Sequence, residues 1–320
     1  MIFAVYVPLL AALLIGRWFR NGRFLPRHPA IQTWTITVGS AVTALLSTWS
    51  LVLLATARID RVAYITERVH LVGGLLRRAE HVPIQVSILA VILLAVRFNR
   101  VLRALGGSRR ARRAADQFRD RNTGTLVVVG DDEPIAFALA GNRRHLGTVV
   151  VSTGLFAAVP AEQRRAVLAH EHAHLSLHHH RHRGVVNIAI ALEPWLAPAA
   201  TLSGRAIERW ADEHATHNAV ERRTAAQAIS TLMQHVAPPA TAVSTRTTTS
   251  TTTTTHMLGG LAYTDNLADT ATQRIDALLD TPPQRRIIDA FPVAALVTLI
   301  MSASGDATHQ LAHLIHAAIR

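Results

Sequence analysis

The sequence predicts a mainly α-helical chain in which several membrane spans precede a smaller α+β domain. The 320 residues are 49% hydrophobic and have a mean hydropathy of +0.22, which is too apolar for an ordinary soluble enzyme of this size. Long apolar runs fill the N-terminal region, whereas short β-branched runs and helical patterns follow residue 114. We therefore assign residues 1–103 to a membrane region and residues 114–236 to a folded domain.

The membrane region, residues 1–103, contains three apolar segments that we predict to be spans. They cover residues 2–16, 31–57 and 82–98. The first is short but unbroken, and a cleaved signal peptide is the alternative for it, although no basic segment precedes it. The second is long enough to cross a bilayer with some tilt, and the third is near the lower length limit for a spanning helix. The sequence thus predicts a multi-pass protein of the cell membrane.

Arginine sets the predicted orientation of these spans. The chain contains no lysine, its net charge is +12, and many of its arginines lie beside the apolar segments. Loop 17–30 carries four arginines and no acid, and seven more arginines lie between residues 97 and 113. The positive-inside rule then puts the N-terminus outside and everything after residue 98 in the cytoplasm. Because no nucleic-acid motif accompanies the charge, we expect membrane lipid and no direct nucleic-acid partner.

Short strands and a helix start are predicted at the beginning of the folded domain. β-rich runs predict strands at Thr125–Gly130, Ile135–Leu139 and Thr148–Thr153. Pro160, with Glu162 in the first turn, predicts a helix that starts soon after the third strand. The domain therefore begins as a small β unit and continues as helices.

The helix that follows carries an HExxH motif, in the run His170-Glu-His-Ala-His174. Residues four apart lie on one helix face, so both histidines can bind a single metal ion. Glu171 lies about a third of a turn away, where its carboxylate can act on a metal-bound water. Glu208, thirty-four residues beyond His174, supplies an acidic third ligand and leaves the fourth position open. In a chain without cysteine, this pattern predicts a gluzincin-type site that binds one Zn²⁺ per chain.

Asp212 follows Glu208 by four residues and therefore shares its helix face. From there its carboxylate can accept the free ring N–H of a ligand histidine and fix the tautomer of that histidine. The alternative is that Glu208 and Asp212 belong to a solvated face together with Arg205 and Arg209. Alanines on the same helix have small apolar side chains that allow close packing, which favours a buried helix.

The predicted chemistry is hydrolysis of a peptide bond in a protein or peptide substrate. Zinc lowers the pKa of its water and polarises the scissile carbonyl, and Glu171 is the expected general base. An extended substrate can add to an exposed edge of the strand Thr148–Thr153, just before the HExxH helix. Candidates to stabilise the oxyanion are His214, His217 and Asn218, although a polar surface role is the favoured interpretation for any one of them. The sequence does not choose between a cytosolic repressor and another membrane protein as substrate.

A run of histidines supplies the main alternative function. Seven histidines fall between residues 170 and 182, and such tracts can buffer or deliver metal without catalysis. A His-rich metal-handling membrane protein does not need Glu171, whereas a peptidase does. We expect His178–His180 to form a polar helix end at the membrane surface and to supply no further ligands.

Three further segments complete the chain. Residues 185–202 are apolar, but a single crossing there would separate the metal ligands on its two sides by about 30 Å of hydrocarbon. We therefore predict a core or membrane-leaning helix that ends in a proline-marked bend and returns the chain to the metal. Residues 237–256 are rich in Pro, Ala and Thr and form a predicted linker. The C-terminal region, residues 257–320, holds a predicted fourth span at 287–303.

Three stretches of the folded domain resemble bacterial membrane zinc metallopeptidases. They are Glu133-Pro-Ile-Ala-Phe-Ala-Leu-Ala-Gly141, Val149-Val-Val-Ser-Thr-Gly-Leu155 and the run from Glu162 to His174. The similarity covers about residues 130–220 and points to two related groups, the BlaR/MecR antirepressor family and the HtpX/CAAX-protease family.

In both groups the HExxH histidines and a glutamate of an ExxxD segment bind zinc. The resemblance therefore implies the same ligands here, His170, His174 and Glu208, with Glu171 as general base and Asp212 behind the ligands. Three spans, a cytosolic peptidase and a late fourth span resemble the BlaR/MecR arrangement. The large extracellular penicillin-binding domain of that family's sensors has no counterpart after residue 303, so beta-lactam sensing is not implied.

Overall fold

The structure is a computed structural model that describes residues 2–21, 25–56, 83–121, 124–142, 145–236 and 267–284. These residues are mainly helical and include one small mixed sheet, as the sequence predicts. The predicted linker at 237–256 and the predicted fourth span at 287–303 lie outside the described residues, so both remain predictions.

Three long helices cover most of the described residues of the predicted N-terminal spans, and residues 57 and 82 of those spans lie outside the described residues. The three helices are α1 (Ile2–Asn21), α2 (Pro29–Thr56) and α3 (Ile84–Arg121). By length and composition, one of the described helices could cross a membrane, α2 over Pro29–Ala55. α3 continues well past residue 98, because the arginine- and alanine-rich sequence that follows favours helix. It thereby reaches the folded domain, where Ala115 packs against the sheet.

The sheet has three strands in the order β1-β3-β2. β1 (Leu126–Val129) pairs parallel with β3 (Thr148–Ser152), and β2 (Ala136–Leu139) pairs antiparallel with β3. All five residues of β3 are buried, as expected of a central β-branched strand. Both edges of β3 are therefore paired, and the expectation that this strand offers an edge to substrate is wrong. Among the described strands, β2 is the one that both contacts the HExxH helix and keeps an unpaired edge.

The helices after the sheet build the candidate site. In chain order they are α4 (Thr153–Ala158), α5 (Ala161–Ser176), α6 (His179–Leu192), α7 (Pro198–Ala215), α8 (Ala219–Val236) and α9 (Leu267–Leu279). α5 starts directly after Pro160, as the sequence predicts. α9 packs against α8 and α7, so it joins the folded domain although it lies beyond the predicted domain end at residue 236.

α6 and α7 form a hairpin that returns the chain to the site, as predicted for residues 185–202. α6 ends at Leu192, the chain turns through a 3-10 turn at Pro194–Leu196, and α7 runs back. The hairpin packs along α2 around a shared core of Ile15, Phe19, Ile36, Ala44, Val186, Ala189, Leu196, Ala199 and Ala206. The hairpin of the candidate site is thus packed directly on the candidate membrane span.

Candidate metal centre

The HExxH motif lies in the C-terminal half of α5. The helix continues unbroken through Ser176, so His170 and His174 are one turn apart on the same face. Both rings are largely buried, with 13% of each side chain exposed. Their Nε2 atoms are 3.1 Å apart, which is close enough for both to bind one metal ion.

Glu208 on α7 completes a group of three possible ligands. Its Oε2 is 3.3 Å from His170 Nε2, and its Oε1 is 3.6 Å from His174 Nε2. In a tetrahedral site with zinc bonds of about 2.0–2.1 Å, neighbouring ligand atoms lie about 3.3–3.4 Å apart. One ligand atom from each of the three residues lies within 4.8 Å of the other two, so all three can bind one metal ion, and a tetrahedral zinc ion held by them would keep a fourth position for another ligand.

Asp212 lies one turn beyond Glu208 and contacts the first histidine from behind. Its Oδ1 is 2.8 Å from His170 Nδ1, and Asp212 is only 4% exposed. This burial does not fit the alternative of a solvated Glu208/Asp212 face. His170 can donate its Nδ1–H to Asp212, so in the neutral ring the lone pair is on Nε2, where a metal can bind.

His174 has a different partner, His179, whose Nδ1 lies 2.9 Å from His174 Nδ1. The chain turns at His178, which adopts the left-handed conformation with φ 55°, and α6 begins at His179. The expectation of a polar surface end for His178–His180 is therefore wrong for His179, which is buried, and fits His178 and His180, which are exposed. The sequence signal for this contact was a histidine five residues after His174.

Arg274 on α9 is a second residue that the sequence motifs did not identify. Its Nε and Nη2 donate to the two carboxylate oxygens of Asp212, at 2.8 and 2.7 Å, and its Nη1 lies 3.4 Å from Glu208 Oε2. Arg183 donates to the other oxygen of Glu208 at 2.7 Å. Arg274 lies 104 residues after His170, so no local spacing could connect it with the HExxH motif.

Burial and mutual charge shift the protonation of this cluster. Burial and the charge of Arg274 lower the pKa of His170, but Asp212 and Glu208 raise it more, to about 9. Burial raises the pKa of Asp212, but Arg274 and His170 outweigh it and bring it to about 2. Burial also raises the pKa of Glu208, but His174, His170 and Arg274 lower it more, so that it lies well below its usual value. Both carboxyl groups are therefore charged at neutral pH, which favours binding of a cation.

Glu171, the predicted general base, follows His170 on α5 and is half-buried. Burial lowers the pKa of Arg274, but the carboxylates of Asp212, Glu208 and Glu171 raise it above its usual value. Glu171 thus lies within electrostatic reach of the guanidinium group that contacts the possible ligand Glu208.

The three predicted oxyanion residues lie at the end of α7 and in the turn that follows it. His214, His217 and Asn218 are all exposed. Asn218 caps α8, because its Oδ1 accepts the backbone N–H groups of Val220 and Glu221 at 3.0 and 2.9 Å. None of the hydrogen bonds and ion pairs found between described side chains joins these three residues to the ligand group, so their catalytic role remains a prediction.

A family model, that of Peptidase family M48, matches residues 107–287. The matched region contains the sheet, the HExxH helix α5, the Glu208 helix α7 and the Arg274 helix α9. Comparisons with curated proteins and with solved structures found no match. The match supports the resemblance to metallopeptidases at the level of this family and does not extend to the BlaR/MecR arrangement, which remains a prediction.

Proposed function

Because the chain belongs to Peptidase family M48, a family of zinc metalloproteases, we propose that it is an integral-membrane zinc endopeptidase. The proposed ligands are His170, His174 and Glu208. The observation that carries the proposal is that one ligand atom from each of these residues lies within 4.8 Å of the other two, which is close enough for all three to bind one zinc ion. We propose one zinc ion per chain.

The proposed reaction is hydrolysis of a peptide bond by an activated water. When bound, zinc makes the water more acidic and polarises the scissile carbonyl. Glu171 takes a proton from the attacking water and delivers it to the leaving nitrogen, so that the carbon–nitrogen bond breaks as the amine forms. Because the Nδ1 atoms of His170 and His174 have partners of their own, the Nε2 atoms are the ones that would bind the metal, once His170 has lost its Nε2 proton.

Arg274 is a stronger candidate to stabilise the oxyanion than the exposed residues His214, His217 and Asn218. Its guanidinium is largely buried and lies against the carboxylates of Asp212 and Glu208. A positive charge held in this position by a bidentate contact needs little reorganisation when negative charge develops nearby. We therefore propose that Arg274 both anchors Asp212 and faces the developing oxyanion.

The free edge of β2 is the proposed substrate-binding edge. β2 contacts α5, and among the described strands it pairs only with β3. An extended peptide can add to such an edge through main-chain hydrogen bonds that do not depend on its sequence. This binding mode suits a protein or peptide substrate. β2 therefore takes the place of β3 as the proposed binding strand, because both edges of β3 are paired.

The surface of the first three helices supports the proposed membrane location. α3 exposes large apolar side chains from Ile84 to Leu102, and further ones lie on the other two helices at Leu10, Leu13, Leu14, Trp34, Leu45 and Trp49. Large apolar side chains exposed in such number on three helices are expected against lipid. We therefore propose that α1, α2 and the N-terminal half of α3 span the membrane.

In this arrangement the metal centre lies near the cytoplasmic membrane surface. His182 on α6 is 3.1 Å from the Thr37 hydroxyl near the start of α2, and its ring packs edge-on against Trp34 with centroids 4.7 Å apart. Tryptophan is typical of the membrane–water interface, and the arginines near this end of α2 favour the cytoplasmic side. A cytosolic protein such as a repressor and a membrane protein are both within reach of such a site.

The alternative, metal handling without catalysis, gains little support from the histidine run. Among the described residues, His170, His174 and Glu208 are the group of three metal-ligating side chains close enough to bind one ion. His178 and His180 are exposed and lie outside it. A metal carrier also has no use for Glu171 beside the ligands.

The direct test compares wild type with Glu171→Ala in detergent, recording zinc per chain and cleavage of an unfolded casein. Glu162→Ala, an exposed glutamate in the first turn of the same helix, is the matched control. We expect one zinc in all three proteins, and loss of cleavage only in Glu171→Ala. Cleavage no higher than background in both the wild type and Glu171→Ala, or several tightly bound metal ions per chain, would support the metal-handling alternative.

A further inference from the structure

The turn between α5 and α6 brings a third histidine into the site. His178 adopts the left-handed conformation, φ 55° and ψ 38°, which ends the path of α5 and redirects the chain. His179, the first residue of α6, is consequently 1% exposed, whereas its neighbours His178 and His180 are exposed. The middle ring of three consecutive histidines is thus buried, while the rings on either side of it are exposed.

The buried ring contacts one of the proposed ligands directly. The His179 Nδ1 atom is 2.9 Å from His174 Nδ1, and the two ring centroids are 4.9 Å apart at an interplanar angle of 77°. On its other side the His179 ring packs on Trp210 of α7 at 5.0 Å. The contact between the two histidines has the geometry of a hydrogen bond. Trp210 of α7 packs against the His179 ring and keeps it in place for this contact.

The direction of this hydrogen bond follows from the chemistry of the ligand. If His174 binds zinc through Nε2, that nitrogen must carry the lone pair, so the proton of a neutral His174 ring is on Nδ1. His174 Nδ1–H then donates, and His179 Nδ1 must accept. The proton of His179 is left on its Nε2, which has no hydrogen-bond partner among the described residues.

We propose that His179 is a positioning residue that holds the tautomer and ring orientation of His174 by accepting its Nδ1–H. This proposal rests on the proposed zinc site. The two ligand histidines would then have different hydrogen-bond acceptors. His170 donates to the carboxylate of Asp212, whose charge Arg274 neutralises, whereas His174 donates to the neutral ring of His179. Hydrogen-bond partners of this kind fix the orientation of a metal-bound histidine.

The unpaired Nε2 of His179 distinguishes this role from simple core packing. A buried N–H group without a partner costs free energy, and an apolar ring of similar shape would avoid that cost. The benefit of histidine at this position is therefore expected at its other nitrogen, which faces His174. Phenylalanine retains the ring shape and lacks this acceptor, whereas asparagine retains an acceptor at a similar distance from the backbone.

The experiment compares His179→Phe and His179→Asn with the same two substitutions at the exposed neighbour His180. Zinc affinity is measured by competition with a chelator, and the visible spectrum of the Co²⁺-substituted protein reports the ligand geometry. We expect His179→Phe to weaken zinc binding about 10- to 100-fold and to change the Co²⁺ spectrum. His179→Asn should stay within about threefold of wild type, as should both His180 variants.

Two results would overturn the proposal. One is zinc affinity within about threefold of wild type, with an unchanged Co²⁺ spectrum, in His179→Phe. The other is equal weakening in the Phe and Asn variants together with an equal fall in the melting temperature of the zinc-free protein, which would show a packing role. If wild type itself bound neither zinc nor Co²⁺, the proposed metal site would fail, which is a different result from a failure of His179.

Discussion

Arg97 on α3 and Glu193, at the turn between α6 and α7, form a buried ion pair with Nη2 2.5 Å from Oε2. Ser47 on α2 donates to the same carboxylate at 2.8 Å, and Arg97 also donates to the hydroxyls of Ser47 and Thr48 at 3.0 Å. Ser47 lies thirteen residues after Trp34, which is about 20 Å along α2. In the proposed topology both charges therefore lie at the depth of the hydrocarbon core. Pairing with the opposite charge lowers the free-energy cost of placing each of them there.

Removing one member of this pair should destabilise the protein strongly. We expect Arg97→Met and Glu193→Gln each to lower the free energy of unfolding by about 3–5 kcal/mol, because each leaves one buried charge unpaired. The double variant should lose much less than the sum of the two. Thermal unfolding in detergent, arranged as a double-mutant cycle, measures this coupling. Additive losses would show that the ion pair carries no such coupling.

Arg274→Lys should lose most of the peptidase activity although it keeps the charge. Lysine cannot contact both oxygens of Asp212 in the planar fork that Arg274 forms. We expect kcat/KM to fall by about 10²- to 10³-fold, the range found when a transition-state donor is lost. Cleavage of an unfolded protein, with Arg223→Lys on the exposed surface of α8 as control, measures this effect. Equal kcat/KM for Arg274→Lys and wild type would show that Arg274 does not stabilise the transition state.

Zinc binding should strengthen as the pH rises to about 9. His170 has a pKa of about 9 before metal binds, so at neutral pH zinc must displace its proton. Below this pKa the apparent zinc affinity should rise about tenfold per pH unit, and above it the dependence should level off. Asp212→Asn removes one of the carboxylates that raise the pKa, so its curve should level off at a lower pH. Chelator competition measures both curves, and a flat wild-type curve between about pH 7 and 9 would contradict the argument.

The absence of cysteine permits a direct test of membrane topology. A single cysteine at exposed Ser108 should react with an impermeant thiol reagent only after the cells are opened, because this part of α3 is proposed to be cytoplasmic. Thr66 lies between the second and third predicted spans, which puts it outside in the proposed topology, so a cysteine there should react in intact cells. The reverse pattern would invert the proposed orientation and put the peptidase domain outside.

The local parts of the site could be predicted because helix geometry fixes them. Residues four apart on a helix share a face, so HExxH predicted the pair His170/His174 and the ExxxD segment predicted the pair Glu208/Asp212. The bend of the hairpin was also predictable, because Pro194 cannot continue α6 and the proposed ligands lie on both sides of the bend.

The remaining features of the site depend on contacts between distant parts of the chain, which short sequence motifs do not predict. The strand order puts β3 between β1 and β2, so a strand that looked available to substrate is central in the sheet. His179 enters the site because His178 adopts a left-handed conformation, which is uncommon for residues other than glycine. Arg274 comes from a helix beyond the predicted linker, and only tertiary packing brings it to Asp212.

The most direct test of the central claim is a zinc titration of chelator-treated protein, with cleavage of an unfolded substrate recorded at each addition. We predict that wild type is inactive without zinc and recovers fully at one equivalent per chain. Glu171→Ala should take up the same single equivalent and remain inactive. Cleavage by the metal-free protein, saturation only at several equivalents, or recovery of activity in Glu171→Ala would contradict a single-zinc peptidase that uses Glu171 as its base.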